Sequence, residues 1–348
     1  MKQRRHIEIV RSGVTSLSSM GEPSAQMIRV VLEQHYERVG ITQVNDLSDL
    51  EQLVALQPDL VFLGMKYIPL ITSGGYTTDT NIWLSGYLEA HGINYTGSSA
   101  AAIALDFDKA AAKRTVQAAG LRTADYFVAR PGQFLSQADL PLFFPLFIKP
   151  PAAGGGQGIA ADSVIRDFDA FQRKVQQISD DFQSDALVET YLPGREFSVA
   201  IMANSSGSSI IAMPIELIAD ANAQGDRILG QAIKAADTER VVAVTDLALQ
   251  RQLTVMALAA FRALGASDYG RIDIRLDGHR QLHFLEANLI PGVAFHDFTS
   301  YFTAACQING QFDYPAMVLQ LVAIALARQS ATDSLDSTDQ PERLIISR

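Results

Sequence analysis

The sequence predicts an α/β protein of three α/β domains, and three observations carry that reading. Residues 6–97 alternate between strand and helix patterns, and the character of the chain changes near residue 98. Two alternating runs, Tyr269–Leu276 and Gln281–Glu286, flank Asp277-Gly278 and read as a hairpin. Strand–helix alternation with apolar strands implies a parallel sheet covered by helices, and Asp-Gly between alternating runs is a strong hairpin signal.

The elements follow in order. Ile7–Arg11 reads as a strand, Glu22–Val39 as a helix ended by Gly40, and Ile41–Val44 as a second strand. Leu47–Leu56 reads as a helix, Asp59–Leu63 as an apolar strand, Asn81–His91 as a helix closed by Gly92, and Asn94–Thr96 as a short strand. Residues 1–97 therefore form the expected N-terminal parallel domain. In the central domain, residues 98–192, the pattern predicts a helix over Asp108–Ala119 and strands at Tyr126–Ala129, before Lys149 and at Ala186–Glu189, with a helix near Asp167–Ser179. In the C-terminal domain, residues 193–328, strands are expected at Glu196–Ala203 and Ile210–Ile218 and helices at Leu247–Leu264 and Tyr314–Ala327. Residues 219–240 are polar and irregular, a candidate functional loop. The polar segment 329–348 reads as a flexible tail.

Composition sets outer bounds. A net charge of −10 argues against general nucleic-acid or anionic-membrane binding while leaving room for a local basic pocket. The single cysteine, Cys306, excludes an internal disulfide framework and fits a reducing compartment. The basic N-terminus is followed by an apolar run too short for a signal peptide, and no stretch of 18 apolar residues exists, so a cytoplasmic protein is expected.

Several residues point to chemistry. In the predicted hairpin, Arg271 and Asp273 share one strand, while Glu286 and Asn288 lie on or just beyond the other. Hard oxygen ligands at this spacing suit Mg²⁺, and an arginine beside them suits a phosphoryl group in transfer. By pattern alone a surface hairpin with solvated acids is as good a reading; the upstream elements shift the balance. Lys149 ends an apolar strand and precedes Gly154-Gly155-Gly156-Gln157-Gly158. Such a loop lets backbone N–H groups approach an anion, and Lys149 adds a point charge. The segment Glu189-Thr190-Tyr191-Leu192, with Glu196 following, can take an adenine edge and ribose hydroxyls. Read alone it is better explained as an ordinary connection.

Together and in this order, these elements resemble the ATP-grasp superfamily, and within it the D-alanine–D-alanine ligases. Asp108-Lys109-Ala-Ala-Ala-Lys113 is similar to that family's Asp-Lys-x-x-x-Lys helix, and Phe147-Ile148-Lys149-Pro150 to its Val-Lys-Pro strand. The resemblance implies the ATP-grasp fold, with ATP held between the central and C-terminal domains. It implies ATP phosphates at Lys113, Lys149 and the loop of Gly155 and Gly156. Adenine falls to Glu189, Thr190, Tyr191 and Leu192, and ribose to Glu196. Two Mg²⁺ ions fall to Asp273, Glu286 and Asn288, and the transferred phosphoryl to Arg271. A small-molecule acceptor and an amino acid are the implied substrates, and a homodimer the implied assembly.

The substrate half departs from the family pattern. Glu22-Pro23-Ser24 stands where the family has a Glu-Val-Ser for the first substrate's amine, so Glu22 is a candidate substrate residue. The serine-bearing loop becomes Ala153-Gly154-Gly155-Gly156, and the expected His-Gly pair reads Leu63-Gly64-Met65-Lys66. In the mobile loop Lys234 is followed by Ala235 rather than Tyr; Lys234 and Arg227 are candidates there. Asp297 replaces the serine that receives a substrate carboxylate, a repulsive exchange at close range. These changes favour a specialised branch, the mycosporine-like amino acid synthases, which join serine or threonine to mycosporine-glycine. In that branch Asp297 or Glu22 would support a developing positive charge. A D-alanine–D-alanine ligase and a nucleotide-binding protein without ligase activity are the alternatives.

Overall fold

The computed structural model describes residues 1–14, 17–70, 81–204, 209–295 and 300–336. The chain begins with the expected alternation: β1 (Gln3–Arg11), α1 (Glu22–Glu33), β2 (Tyr36–Gln43), α2 (Leu47–Ala55) and β3 (Leu60–Leu63). The three strands form a parallel sheet in the order β2-β1-β3. One boundary differs from expectation. The helix ends at Glu33, and Gly40 sits inside β2 opposite Glu8 rather than capping a helix. A Cβ on Gly40 would collide with the buried Glu8 carboxylate, so this glycine serves a close approach between strands.

The next elements are β4 (Tyr67–Pro69), β5 (Asn81–Trp83), α3 (Leu84–Ala90), α4 (Ala100–Phe107) and α5 (Lys109–Ala118). Asn81–Trp83, expected as helix, pairs with β4 instead, and Trp83 and Tyr67 meet edge to face. The expected strand at Asn94–Thr96 is reduced to a single bridge between Val61 and Tyr95. Helix α4 carries no clear period in the sequence; Ser99 caps it and Asp108 caps α5.

A four-stranded antiparallel sheet comes from β6 (Tyr126–Ala129), β7 (Leu146–Lys149), β8 (Val164–Ile165) and, after α6 (Phe168–Phe182), β9 (Ala186–Thr190). Helix α6 covers it through Phe171, Val175 and Ile178. The last sheet has five antiparallel strands in the order β12-β11-β10-β13-β14. Its members are β10 (Glu196–Ala203), β11 (Ile210–Ile218), then, after α7 (Gln231–Ala236), β12 (Arg240–Ala243) and, after α8 (Leu247–Ala263), β13 (Tyr269–Leu276) and β14 (Leu282–Asn288). The segment 219–240 thus holds a short helix and the start of a strand.

Helices α9 (Tyr301–Ile308) and α10 (Tyr314–Asp336) close the chain. Helix α10 runs beyond Ala327 into the segment expected to be a tail; that segment has no proline before Pro341, and an established helix propagates at little cost. Alternation along β10 and β13 explains the layering. One face of the large sheet, with Ala200, Met202 and Tyr269, packs with α9, α10 and the N-terminal sheet. The other face, with Phe197, Val199, Ile272 and Ile274, packs on α8. Cys306 is buried in the first of these cores. Among the described residues no helix is long and apolar enough to cross a membrane.

Candidate active site

The hairpin of β13 and β14 supplies the centre of the site. Asp273 stands directly opposite Glu286, and Arg271 directly opposite Asn288. Sequence alternation alone places Phe284 and Glu286 on one face, and the structure corrects this. The register shifts between Asp273 and Ile274, so Leu285 is an extra residue in β14. A bulge of this kind reverses which face the following side chains take. Phe284 is therefore buried in the core, while Glu286 lines two cavities. The turn differs as well: Arg280, not Gly278, takes the left-handed conformation, and Asp277 binds the N–H groups of His279 and Gln281.

Arg271 grips Asp273 as a fork, with Nε 3.0 Å from Oδ1 and Nη2 3.1 Å from Oδ2. The Ser198 hydroxyl donates to the same Oδ1 at 2.6 Å. Burial alone would raise the Glu286 carboxyl, but Lys109, Lys149, Lys234 and Arg271 outweigh it and hold it at about 2. Asn288 Oδ1 is buried without a hydrogen-bond partner among the described residues. An orphaned amide oxygen beside two carboxylates is a donor set that fits Mg²⁺. Among the described residues no group of three or more His, Cys, Asp or Glu can hold a metal, so phosphate oxygens and water must complete such a shell.

Beside this centre lies a cavity lined by Phe147, Lys149, Glu189, Thr190, Tyr191, Leu192 and Glu196. It unites β7 and β9 of the central sheet with β10, and Ile228 and Leu229 close it. Tyr191 stacks over Phe147 with ring centres 6.4 Å apart. Glu196 pairs with Arg275 at 2.6 Å; burial nonetheless raises its carboxyl above the usual range. Arg275 was not singled out in the sequence, although it shares the face of Arg271 and Asp273. The glycine loop meets the other side: Gly156 takes φ +78°, and a Cβ there would lie 3.0 Å from the Gln231 nitrogen. The loop therefore packs against the start of α7, which carries Lys234 between the two cavities.

Residues 115–323 match the family described as D-ala D-ala ligase C-terminus. The chain belongs to the D-alanine–D-alanine ligase family. A D-alanine–D-alanine ligase of Nitrosococcus oceani is 32% identical over 254 residues, covering 72% of this chain and 74% of the relative. One of Bordetella petrii is 31% identical over 250 residues, 71% of each chain. The D-alanine–D-alanine ligase of Bacillus anthracis, solved in complex with ATP, shares the fold at a TM-score of 0.70 and 20% identity, covering 94% of this chain and 99% of that one. This member of the family thus has the ATP-grasp fold and is an ATP-dependent ligase forming a carbon–nitrogen bond.

Within the ligase, Lys113 of the Asp-Lys-x-x-x-Lys helix, implied by the resemblance at the ATP phosphates, lies away from both cavities. Lys113 is fully buried, 2.8 Å from Glu189 and 2.6 Å from the Thr123 hydroxyl, and lines neither cavity. Lys109, one turn earlier, lines the larger cavity with its Nζ 3.6 Å from Glu286. The motif itself displayed both lysines; helical periodicity could not say which faced the cavity. Lys149 reaches Glu189 at 3.2 Å, so one buried carboxylate answers two lysines.

The larger cavity, of about 370 Å³, lies on the other side of the metal residues and is lined by Lys66, Lys109, Lys234, Arg271 and the Leu17–Ser19 loop. Glu22 does not line it. As the first residue of α1 it is half-exposed and paired with Arg11 at 3.0 Å, while the preceding loop faces the cavity. Arg227 donates instead to the Ala219 carbonyl at 2.6 Å. Lys66, at the position of the lost His-Gly pair, reaches in and pairs with Asp106 at 2.8 Å. Asp297 lies outside the described residues.

Proposed function

We propose that this ligase phosphorylates the carboxylate of one small amino acid and joins it to the amine of a second, with D-alanine the reference substrate for both. The observation that carries this reading is the larger cavity. Four cations, Lys66, Lys109, Lys234 and Arg271, line it beside the metal residues, an environment for a carboxylate becoming an acyl phosphate. The relatives named above, dipeptide ligases, support it further. The competing pair, mycosporine-glycine with serine or threonine, rests on the lost serine loop and His-Gly pair, and no relative named above bears such a name.

In the proposed reaction Tyr191 and Leu192 hold the adenine, Glu196 the ribose, and Lys149 and Lys109 the phosphates. Asp273, Glu286 and Asn288 would hold Mg²⁺, which when bound neutralises charge on the phosphate oxygens. Arg271, fixed by its fork onto Asp273, sits where the transferred phosphoryl meets the acceptor carboxylate. The nucleotide cavity is only about 60 Å³, so the site must widen to admit ATP. Phosphate release from MgATP, measured with D-alanine alone and in parallel with mycosporine-glycine plus serine or threonine, tests the assignment. Turnover only with the second pair overturns it.

A further inference from the structure

The proposed ligation has an unmet chemical requirement. At neutral pH the second amino acid arrives as an ammonium, which has no lone pair to attack with. A proton acceptor must stand in the acceptor cavity, close to Arg271. Most candidates there are committed. Lys66, Lys109, Lys234 and Arg271 are cations, Asp106 is paired with Lys66, and Asp273 is held by Arg271. Glu286 is held among four cations.

Glu239 remains. It precedes β12, lines the same cavity, and its Oε1 accepts a hydrogen bond from the hydroxyl of Tyr301, the first residue of α9. Its Oε2 is buried and has no hydrogen-bond partner among the described residues. The Tyr301 ring links this carboxylate to the reacting end of the cavity: the Arg271 guanidinium lies 5.3 Å from the ring centre and Lys234 Nζ 5.8 Å. A buried carboxylate oxygen without a donor is a vacant acceptor, and an ammonium is the donor that satisfies it in both hydrogen bonding and charge.

We propose that Glu239, held by Tyr301, binds the amine of the second amino acid and removes its proton. This rests on the dipeptide reading above. Glu239 Oε2 takes one proton from the ammonium nitrogen, and the freed lone pair attacks the acyl carbon. The C–N bond forms and the bond from carbon to the phosphate oxygen breaks, with its electron pair leaving on inorganic phosphate. The second proton lost from nitrogen goes to that phosphate, and Glu239 returns its proton to solvent after product leaves. Tyr301 is a positioning residue, since it acts through Glu239.

Hydroxylamine separates this role from the rest of the reaction. It is uncharged at neutral pH and traps an acyl phosphate as a hydroxamate without needing its proton removed first. In Glu239→Gln, D-alanyl-D-alanine formation should fall about 100-fold or more, the scale of general-base catalysis. Hydroxamate formation from D-alanine, ATP and hydroxylamine should fall no more than a few-fold, which also reports that the variant is folded. Glu239→Asp should recover part of the dipeptide rate, and Tyr301→Phe should lower dipeptide formation selectively. Dipeptide formation at the wild-type rate in Glu239→Gln, or an equal loss of both products, overturns the assignment. Wild-type protein that makes neither product from D-alanine overturns the dipeptide reading and this assignment with it.

Discussion

Replacing Lys113 and Lys109 one at a time by Met tests which lysine serves the nucleotide. Lys113, Glu189 and Lys149 form a buried triad with contacts of 2.8 and 3.2 Å. Burial pushes the Lys113 ammonium down and would push Glu189 up, but the two lysines hold the Glu189 carboxyl below its ordinary range. Deleting one partner of a buried ion pair costs about 3–5 kcal/mol because a charge is left uncompensated. Lys149 still faces Glu189 in Lys113→Met, so the lower end, about 3 kcal/mol, is expected, or roughly 5 °C in Tm. Adding Glu189→Gln should deepen that loss, because the buried Lys149 then loses its partner at 3.2 Å as well. Lys109 lines the cavity beside Glu286, which keeps Lys149, Lys234 and Arg271 around it, so Lys109→Met should lower Tm less than Lys113→Met does. It should raise the KM for ATP roughly 10- to 100-fold, the worth of one hydrogen bond to a charged group. Thermal unfolding and initial rates against ATP measure both effects. Lys109→Met with unaltered KM, together with Lys113→Met that weakens ATP at unaltered Tm, would refute the reasoning.

Other expectations follow from single contacts. Arg271→Lys keeps the charge but loses the fork onto Asp273, and steady-state kinetics should show kcat down about 10²–10³-fold with the KM for ATP little changed. Gly156→Ala places a Cβ at φ +78°, 3.0 Å from the Gln231 nitrogen. It should cost about 1–2 kcal/mol locally, seen as faster hydrogen exchange in the glycine loop and at the start of α7. Asn288→Ala removes the orphaned Oδ1, so Tm should hold while half-maximal activity needs on the order of tenfold more Mg²⁺. Burial pushes the Asp268 carboxyl up from 3.8 to about 6, with Arg328 and the Gly97 N–H opposing. The folded state therefore holds a proton that the unfolded state has released between those values, and this contribution to stability is lost as pH rises through 6. The stability of wild type relative to Asp268→Asn should fall by about 2 kcal/mol between pH 4 and pH 7 in denaturant titrations, and a constant difference would contradict it.

The strands β10, β11 and β13 and the helices α2 and α8 were legible because their apolar periods are unambiguous and their ends carry caps or turn residues. The early helix was overextended because Val39-Gly40 imitates a helix end, while the true boundary is set by pairing of Tyr36–Gln43 with β1. Helix α4 is hard to read from sequence because Ala100–Phe107 is apolar almost all round, which hides its period. In the site, Arg271, Asp273, Glu286 and Asn288 were found by residue type and spacing, and the structure sets them opposite one another. Lys66, Arg275, Glu239 and Tyr301 gave no local signal, since each matters through a partner distant in sequence.

The sequence by itself determined the layered α/β architecture, the family, and the residue types of a nucleotide and metal centre, because these depend on local periodicity and short-range motifs. The tertiary structure alone decided which of two lysines enters the cavity, which face Glu286 takes and what lines the acceptor cavity. It also assigned Glu22 to an ion pair with Arg11. These outcomes depend on a one-residue bulge, a helix rotation and the meeting of segments far apart in the chain. A one-residue slip in a strand or a turn of a helix moves a side chain from core to cavity while leaving the hydrophobic pattern almost unchanged.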